Sequence, residues 1–179
     1  WYSTTEGETP KIKLMDSTGR EIKTYEGVQS VDTDVETVVD NGTTYTLYPC
    51  KVTVTDLTEN TSYQYQYYVN GAWSDTYSYK TQSTESFSIM YVGDPQIGAS
   101  TGQIKGENKE YFAMNDSYNW YHTLNNAVSK FPDLSFIMSA GDQINQSSVS
   151  KDADKLEQQI EYAGFLNPTV LRSLPVAVT

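Results

Sequence analysis

Two aspartates of this sequence stand in the same context, each directly after a glycine and shortly behind an apolar run. Asp94 follows the run at residues 87–92, and Asp142 follows the run at residues 134–138. If both runs are parallel strands, the two acids lie at the carboxyl edge of one sheet, where ligands bind in open sheets. Carboxylates that converge there repel each other unless a proton or a multivalent cation separates them. The pair therefore favours a metal site.

Two amide side chains extend this candidate site. Gln96 lies two residues past Asp94, and Asn145 lies three residues past Asp142. Both can add neutral oxygen donors to a metal shell. The alternative is that each aspartate only caps the turn or helix that follows its strand. Capping is the better interpretation of either aspartate alone, whereas the two together, flanked by amides, favour metal binding.

The strands that must position these side chains come from residues 86–179. Three apolar runs predict strands, namely residues 87–92, 134–138 and 174–178. The first two runs are typical of fully buried parallel strands. With a helical segment between each pair of runs, the order is β-α-β-α-β, which predicts an α/β sheet with short right-handed crossovers.

Two helices are predicted in the connections. The first has apolar residues at helical spacing, with Asp116 or Ser117 available as N-cap and Pro132 as the stop. The second helix is predicted by apolar residues at the same spacing after an acidic start, namely Leu156, Ile160 and Ala163.

Residues 1–82 have a different pattern, with short Thr-, Tyr- and Val-rich runs separated by Gly, Asn and Asp. They predict an all-β sandwich. The predicted strands are residues 11–15, 21–25, 44–54, 63–69 and 76–79. Alternation is clearest in residues 51–55 and 62–67, and Tyr63 has the placement of a tyrosine corner. The polar residues 81–85 predict a domain boundary.

Composition limits the classes of function. The 179 residues carry a formal charge of −11, which argues against a nucleic-acid partner because that role needs clustered Lys and Arg. No apolar run approaches the roughly 18 residues of a membrane-spanning helix. The single cysteine, Cys50, is interpreted as a small buried hydrophobe. The single histidine, His122, lies within the predicted first helix and is interpreted as structural or solvent-facing.

The paired motifs resemble those of the calcineurin-like metallophosphoesterases. Gly93-Asp94-Pro95-Gln96 is similar to the first motif of that family, in a branch with Gln at the usual His position, and Gly141-Asp142-Gln143-Ile144-Asn145 is similar to the second. The resemblance implies a dinuclear centre of Fe, Zn or Mn, in which Asp142 bridges both ions while Asp94 and Gln96 serve the first. Asn145 stands where the purple enzymes have a tyrosine ligand, so no purple colour is expected. The polar stretch 97–115 would rim the active-site mouth.

The first part of the chain resembles the fibronectin-III-like N-terminal domain of purple acid phosphatases, with its first strand missing. The resembling segments are residues 1–4, 54–57, 61–63 and 73–75. The expected organisation is therefore a β-sandwich at residues 1–82 and the first half of a metallophosphoesterase α/β sandwich at residues 86–179.

The resemblance implies hydrolysis of phosphate esters, chiefly monoesters, by water that two metal ions activate. The third family motif, Gly-Asn-His, and the later histidine ligands are absent from the sequence, so this chain is expected to be an inactive piece of a longer enzyme. An extracellular or cell-surface bacterial location is expected from the acidic, Lys-poor composition. Two alternatives stay open: a non-catalytic adhesion protein with a degenerate phosphoesterase scaffold, and a nucleotidase or phosphodiesterase.

Overall fold

A computed structural model describes residues 1–40, 42–100 and 108–179. The chain divides into two compact units, Trp1–Gln82 and Ser83–Thr179, called unit 1 and unit 2 below. In the part of the chain that the structure describes, no helix is both long enough and apolar enough to cross a bilayer.

Unit 1 consists of two antiparallel sheets. Its strands are β1 (Tyr2–Ser3), β2 (Lys11–Asp16), β3 (Glu21–Glu26), β4 (Val28–Gln29), β5 (Glu36–Asp40), β6 (Thr43–Lys51), β7 (Ser62–Val69), β8 (Ala72–Trp73) and β9 (Tyr77–Lys80). One sheet has the order β1-β6-β4, with β5 also paired to β6. The other has the order β3-β2-β7-β8, with β9 also paired to β7.

The predicted strand at residues 44–54 is too long, because β6 ends at Lys51. Lys51 makes the last pair of β6, with Val28 of β4. Gly27 lies so close to this point that a Cβ on it would stand 2.0 Å from the Lys51 carbonyl oxygen. Residues 52–55 continue the alternation of apolar and polar side chains, but β6 pairs with no described strand beyond Lys51. The sequence also missed β1, β4, β5 and β8, of which all but β5 have only two residues, too few to show a period.

Tyr63 confirms the prediction of a tyrosine corner. Its side chain is buried, and its hydroxyl oxygen accepts a hydrogen bond from the Thr58 backbone N–H at 2.9 Å. The bond ties the turn before β7 to that strand. Cys50 is a buried free thiol, as its interpretation as a small hydrophobe requires.

Unit 2 has the predicted order of alternating strands and helices. Its elements are β10 (Ser88–Val92), α1 (Lys109–Lys130), β11 (Leu134–Ser139), α2 (Asp152–Leu166), a 3-10 helix (Thr169–Arg172) and β12 (Val176–Val178). The three strands form a parallel sheet in the order β10-β11-β12. The coarse prediction of a β unit followed by an α/β unit is thus confirmed.

The predicted N-cap of the first helix is wrong. The helix begins at Lys109, and its N-cap is Asn108, whose side chain accepts from the Tyr111 backbone N–H. Asp116 and Ser117 lie inside the helix, and their side chains bond to groups outside it, as described below. Residues 109–115 of the predicted polar stretch 97–115 are therefore helical, and residues 101–107 lie outside the described residues.

The core of unit 2 lies on one face of the sheet. Buried residues from both helices and from β11 form most of it, among them Trp120, Leu124, Ile137 and Phe165. The Trp120 ring stacks on Phe165 at 5.6 Å, and its indole N–H donates to the Phe165 carbonyl at 3.0 Å. The helices are close here, since a Cβ on Gly164 would meet Ile97 at 3.0 Å and Ser117 at 3.2 Å.

The expectation of strands buried on both faces is wrong for β10. Met90 and Val92 pack against the core, while Ile89 and Tyr91 alternate with them and are 40% and 67% exposed. A single core cluster joins both helices to the same face of the sheet. Residues 89–92 are all apolar, but only Met90 and Val92 pack against the core of unit 2.

Candidate metal site

The loops that follow β10 and β11 run side by side past the end of the sheet. The Gln96 backbone N–H donates to the Asp142 carbonyl at 2.9 Å, and the Ile97 N–H donates to the Gln143 carbonyl at 3.2 Å. The Asn145 N–H returns a bond to the Ile97 carbonyl at 3.0 Å. An isolated parallel bridge between Ile97 and Ile144 continues the sheet's pairing into the loops. The two motifs found in the sequence are therefore neighbours.

The side chains of two candidate ligands meet across this pairing. The Gln96 amide Nε2 donates to the Asp142 carboxylate Oδ2 at 3.4 Å. Asn145 belongs to the same pairing through its backbone bond to the first loop. Asp94 and Asp142 are both exposed at the end of the sheet. The structure thus joins Gln96 to Asp142 by their side chains and Asn145 to the first loop by its backbone.

Asp94 and Gln96 also line a cavity of about 550 Å³ beside α1. Asp116, Asn119 and Thr123 of α1 contribute to its wall. Asp142 is not among the described residues that line it. The cavity therefore adjoins one half of the candidate site.

Three candidate residues have left-handed backbones. The φ angles are 41° at Asp94, 40° at Gln96 and 42° at Asp142. Aspartate tolerates this region moderately, whereas for a longer side chain such as Gln it costs on the order of 1–2 kcal/mol. Such conformations persist only where surrounding structure enforces them, and they cluster at functional sites. No sequence pattern indicated that these positions are strained.

Asp116 of α1 holds the first loop from one side. Its carboxylate Oδ2 accepts from the Gly98 N–H at 3.0 Å and from the Ser100 N–H at 3.1 Å. This is why Asp116 does not cap α1. Ser117, beside it, donates its hydroxyl to the Gly164 carbonyl of α2 at 2.8 Å.

Glu161 of α2 holds the second loop, and sequence reasoning missed it. Its carboxylate accepts from the Gln146 backbone N–H at 2.6 Å, and the residue is 2% exposed. Burial raises the pKa of this carboxyl above its ordinary value, with the backbone hydrogen bond from Gln146 acting in the opposite direction.

The face that α2 buries differs from the predicted one. Of the predicted apolar stripe, Ile160 packs against the core, but Leu156 is 49% exposed and Ala163 is exposed as well. The buried residues of α2 are Glu157, Glu161 and Phe165, at intervals of four. Glu157 forms an ion pair with Lys109 at the start of α1. The spacing of the two glutamates with Phe165 was the available signal, but acidic residues are ordinarily assigned to the solvent face.

The candidate site is not a cluster of acids and histidines. Among the described residues, no group of three or more His, Cys, Asp or Glu is placed to hold a metal ion. The single histidine, His122, is exposed on α1, with its ring 4.3 Å from that of Tyr118. The four candidate ligands are two carboxylates and two amides, a set of oxygen donors that suits hard cations.

No family model matches the chain, and no curated protein matches it significantly.

Proposed function

We propose that unit 2 carries part of a dinuclear metal centre that hydrolyses phosphate esters, with monoesters as the expected substrates. The observation that carries the proposal is the contact between Gln96 and Asp142, which brings together the two Gly-Asp motifs of the chain. The resemblance of these motifs to the metallophosphoesterases supplies the reaction. In the same proposal unit 1 is a sandwich of the fibronectin-III type, and the protein is extracellular or attached to a cell surface.

The donors fit the metal ions that the proposal requires. Asp142 would hold both ions, Asp94 and Gln96 would serve the first, and Asn145 would offer a further oxygen donor. The Gln96 amide needs only a half-turn about its last bond to present Oε1, the atom that a cation binds, in place of Nε2. When bound, two such ions lower the pKa of a water molecule and neutralise charge on the phosphoryl oxygens.

The residues of the chain orient these components. The hydrogen bonds between the two loops fix where the Asp142 carboxylate lies relative to Gln96. Both residues have left-handed backbones in the loops at the end of the sheet. The candidate ligands and the described wall of the adjoining cavity contain no Lys or Arg. Since these described groups are neutral or negative, we expect the cations to serve in binding a phosphate ester as well as in its hydrolysis.

Four oxygen donors are too few for two ions, each of which takes about four to six ligands. We therefore expect turnover only in a form of the protein that supplies further ligands. The chain by itself is expected to bind a divalent cation weakly.

The decisive experiment measures binding of Mn²⁺ to the 179-residue chain by calorimetry. Asp142→Asn is expected to weaken Mn²⁺ binding about tenfold or more, because it removes a charged ligand while keeping the shape of the side chain. The control is Asp133→Asn, which makes the same change of charge in the turn that precedes β11, at the opposite end of that strand.

Equal Mn²⁺ affinity in the wild type and in Asp142→Asn would overturn the metal site and favour the non-catalytic adhesion protein. Equal weakening by both variants would mean that Mn²⁺ binds through the overall negative charge of the chain, −11, and not at a specific site. In a form that turns over, faster hydrolysis of a nitrophenyl monoester than of the diester supports the phosphatase, and the reverse order supports the phosphodiesterase.

A further inference from the structure

One buried carboxylate touches both loops of the candidate site. Glu161 accepts from the Gln146 N–H, one residue past Asn145. The same carboxylate lies against Gly98, two residues past Gln96, where a Cβ would stand 2.0 Å from Oε1 and 2.5 Å from Cδ. Glu161 is therefore wedged between the first loop and the second.

Other contacts fix the loops around this wedge. Ile97 and Ile144, which form the bridge between the loops, are 0% and 8% exposed. Asp116 holds the first loop from the α1 side through Gly98. Asp116 of α1 thus holds the first loop, while Glu161 of α2 contacts both loops just beyond their backbone pairing.

We propose that Glu161 is a positioning residue of the metal site, an inference that rests on the proposed function. By filling the space between Gly98 and Gln146, its carboxylate sets the separation of the two loops and hence of Gln96 from Asp142. It acts through these neighbours and does not itself bind the cation.

The role needs a carboxylate. A hydrogen bond from a backbone N–H to a carboxylate is stronger than one to a neutral oxygen, and an unpaired buried N–H is destabilising. Glu161→Gln keeps the volume but replaces one acceptor oxygen by an NH₂ donor in a space with no room to adjust. The two loops are then expected to shift apart or lose their order.

Glu157 provides the matched control. It lies one turn earlier on the same face of α2 and is 7% exposed, yet its partner is Lys109 of α1. Glu157→Gln makes the same chemical change at a buried glutamate that joins helix to helix instead of helix to loops. A purely structural effect of losing a buried charge should appear equally in both variants.

The test compares Glu161→Gln and Glu157→Gln in the full chain by two measurements. The first is Mn²⁺ affinity by calorimetry, and the second is hydrogen exchange of the Gln96 backbone N–H by NMR. This N–H donates to the Asp142 carbonyl and not to Glu161, so its exchange rate reports the loop pairing. We expect Glu161→Gln to weaken Mn²⁺ binding about tenfold and to speed the exchange, while Glu157→Gln changes neither more than about twofold.

The outcomes separate the two proposals. If Asp142→Asn leaves Mn²⁺ binding unchanged, the proposed function fails, and the Gln96 exchange rate alone decides whether Glu161 positions the loops. Unchanged exchange in Glu161→Gln, or equal effects in both variants, overturns the positioning role. If Glu161→Gln does not fold, Glu161→Asp is measured in its place, since it keeps the charge but shortens the side chain by one methylene. Its Mn²⁺ affinity and Gln96 exchange rate are then compared with those of Glu157→Gln.

Discussion

The hairpin turn of unit 1 and the strand-end loops of unit 2 both contain left-handed residues that are not glycine, but they use them differently. In the turn between β7 and β8, Asn70 has a φ of 50°, and its side-chain oxygen accepts from the Ser3 hydroxyl at 2.9 Å and the Thr4 N–H at 2.8 Å. The described residues donate no hydrogen bond to the Asp94 carboxylate, and the Asp142 carboxylate receives only the 3.4 Å contact from the Gln96 side chain. The turn uses its polar side chain for stability, whereas the two loop carboxylates receive little hydrogen bonding from the described residues.

The residue types fit this contrast. Asn is common in left-handed turns because its short side chain bonds to nearby backbone. Gln at position 96, with its longer side chain, gains no such local bond. A strained backbone without local compensation indicates a constraint other than folding.

The largest expected effect is at the wedge between the loops. Gly98→Ala should lower the free energy of unfolding of unit 2 by about 2–4 kcal/mol, because the new Cβ collides with Glu161 and the residue has a φ of 100°. Urea unfolding followed by circular dichroism at 222 nm reports the helices of unit 2. The control is Gly93→Ala, where a Cβ meets nothing within 4 Å. Equal midpoints for the two variants would contradict the described contact.

A single type of substitution tests the contrast directly. Asn70→Gly should destabilise unit 1 by about 1 kcal/mol, because it removes hydrogen bonds without relieving much strain. Gln96→Gly should stabilise unit 2 by about 0.5 kcal/mol, because relief of the left-handed strain exceeds the added chain entropy of glycine. Hydrogen exchange followed by mass spectrometry on peptides from each unit measures both changes. Effects of the same sign would break the comparison.

The smallest effect concerns pH and unit 1 alone. The Thr18 hydroxyl and the Arg20 backbone N–H donate to Asp16 and hold the pKa of its carboxyl below the ordinary value of 3.8. A depressed carboxyl pKa stabilises the fold at pH above that ordinary value, and the stabilisation is lost as the pH falls through the depressed one.

Asp16→Asn should therefore lower the melting temperature of unit 1 at neutral pH and reduce its fall in acid. Thr18→Val, which removes only the hydroxyl donor, should give a smaller change in the same direction. Melting curves between pH 7 and pH 2 would show this, and parallel curves for the wild type and Asp16→Asn would contradict it.

Much of unit 2 could be predicted from the sequence because apolar periodicity is a local signal. The runs at residues 87–92 and 134–138 differ from β10 and β11 by one residue at an end. The start of α1 was missed because Asp116 resembles a cap in sequence, while in the fold its carboxylate binds Gly98 and Ser100. Which polar side chain caps a helix depends on the other hydrogen-bond partners within its reach, and these are set by the tertiary structure.

For the candidate site, the sequence alone determined the order of the elements and the presence of a Gly-Asp motif behind each of two parallel strands. Their residue types and spacing carry that information. Only the tertiary structure decided that the loops pair through Ile97 and Ile144, that three ligand candidates have left-handed backbones, and that α2 buries Glu161 instead of Leu156. The physical reason is that a buried carboxylate is stable only where hydrogen-bond donors or an opposite charge meet it, and for Glu161 the donor is the Gln146 N–H of a loop outside its own helix.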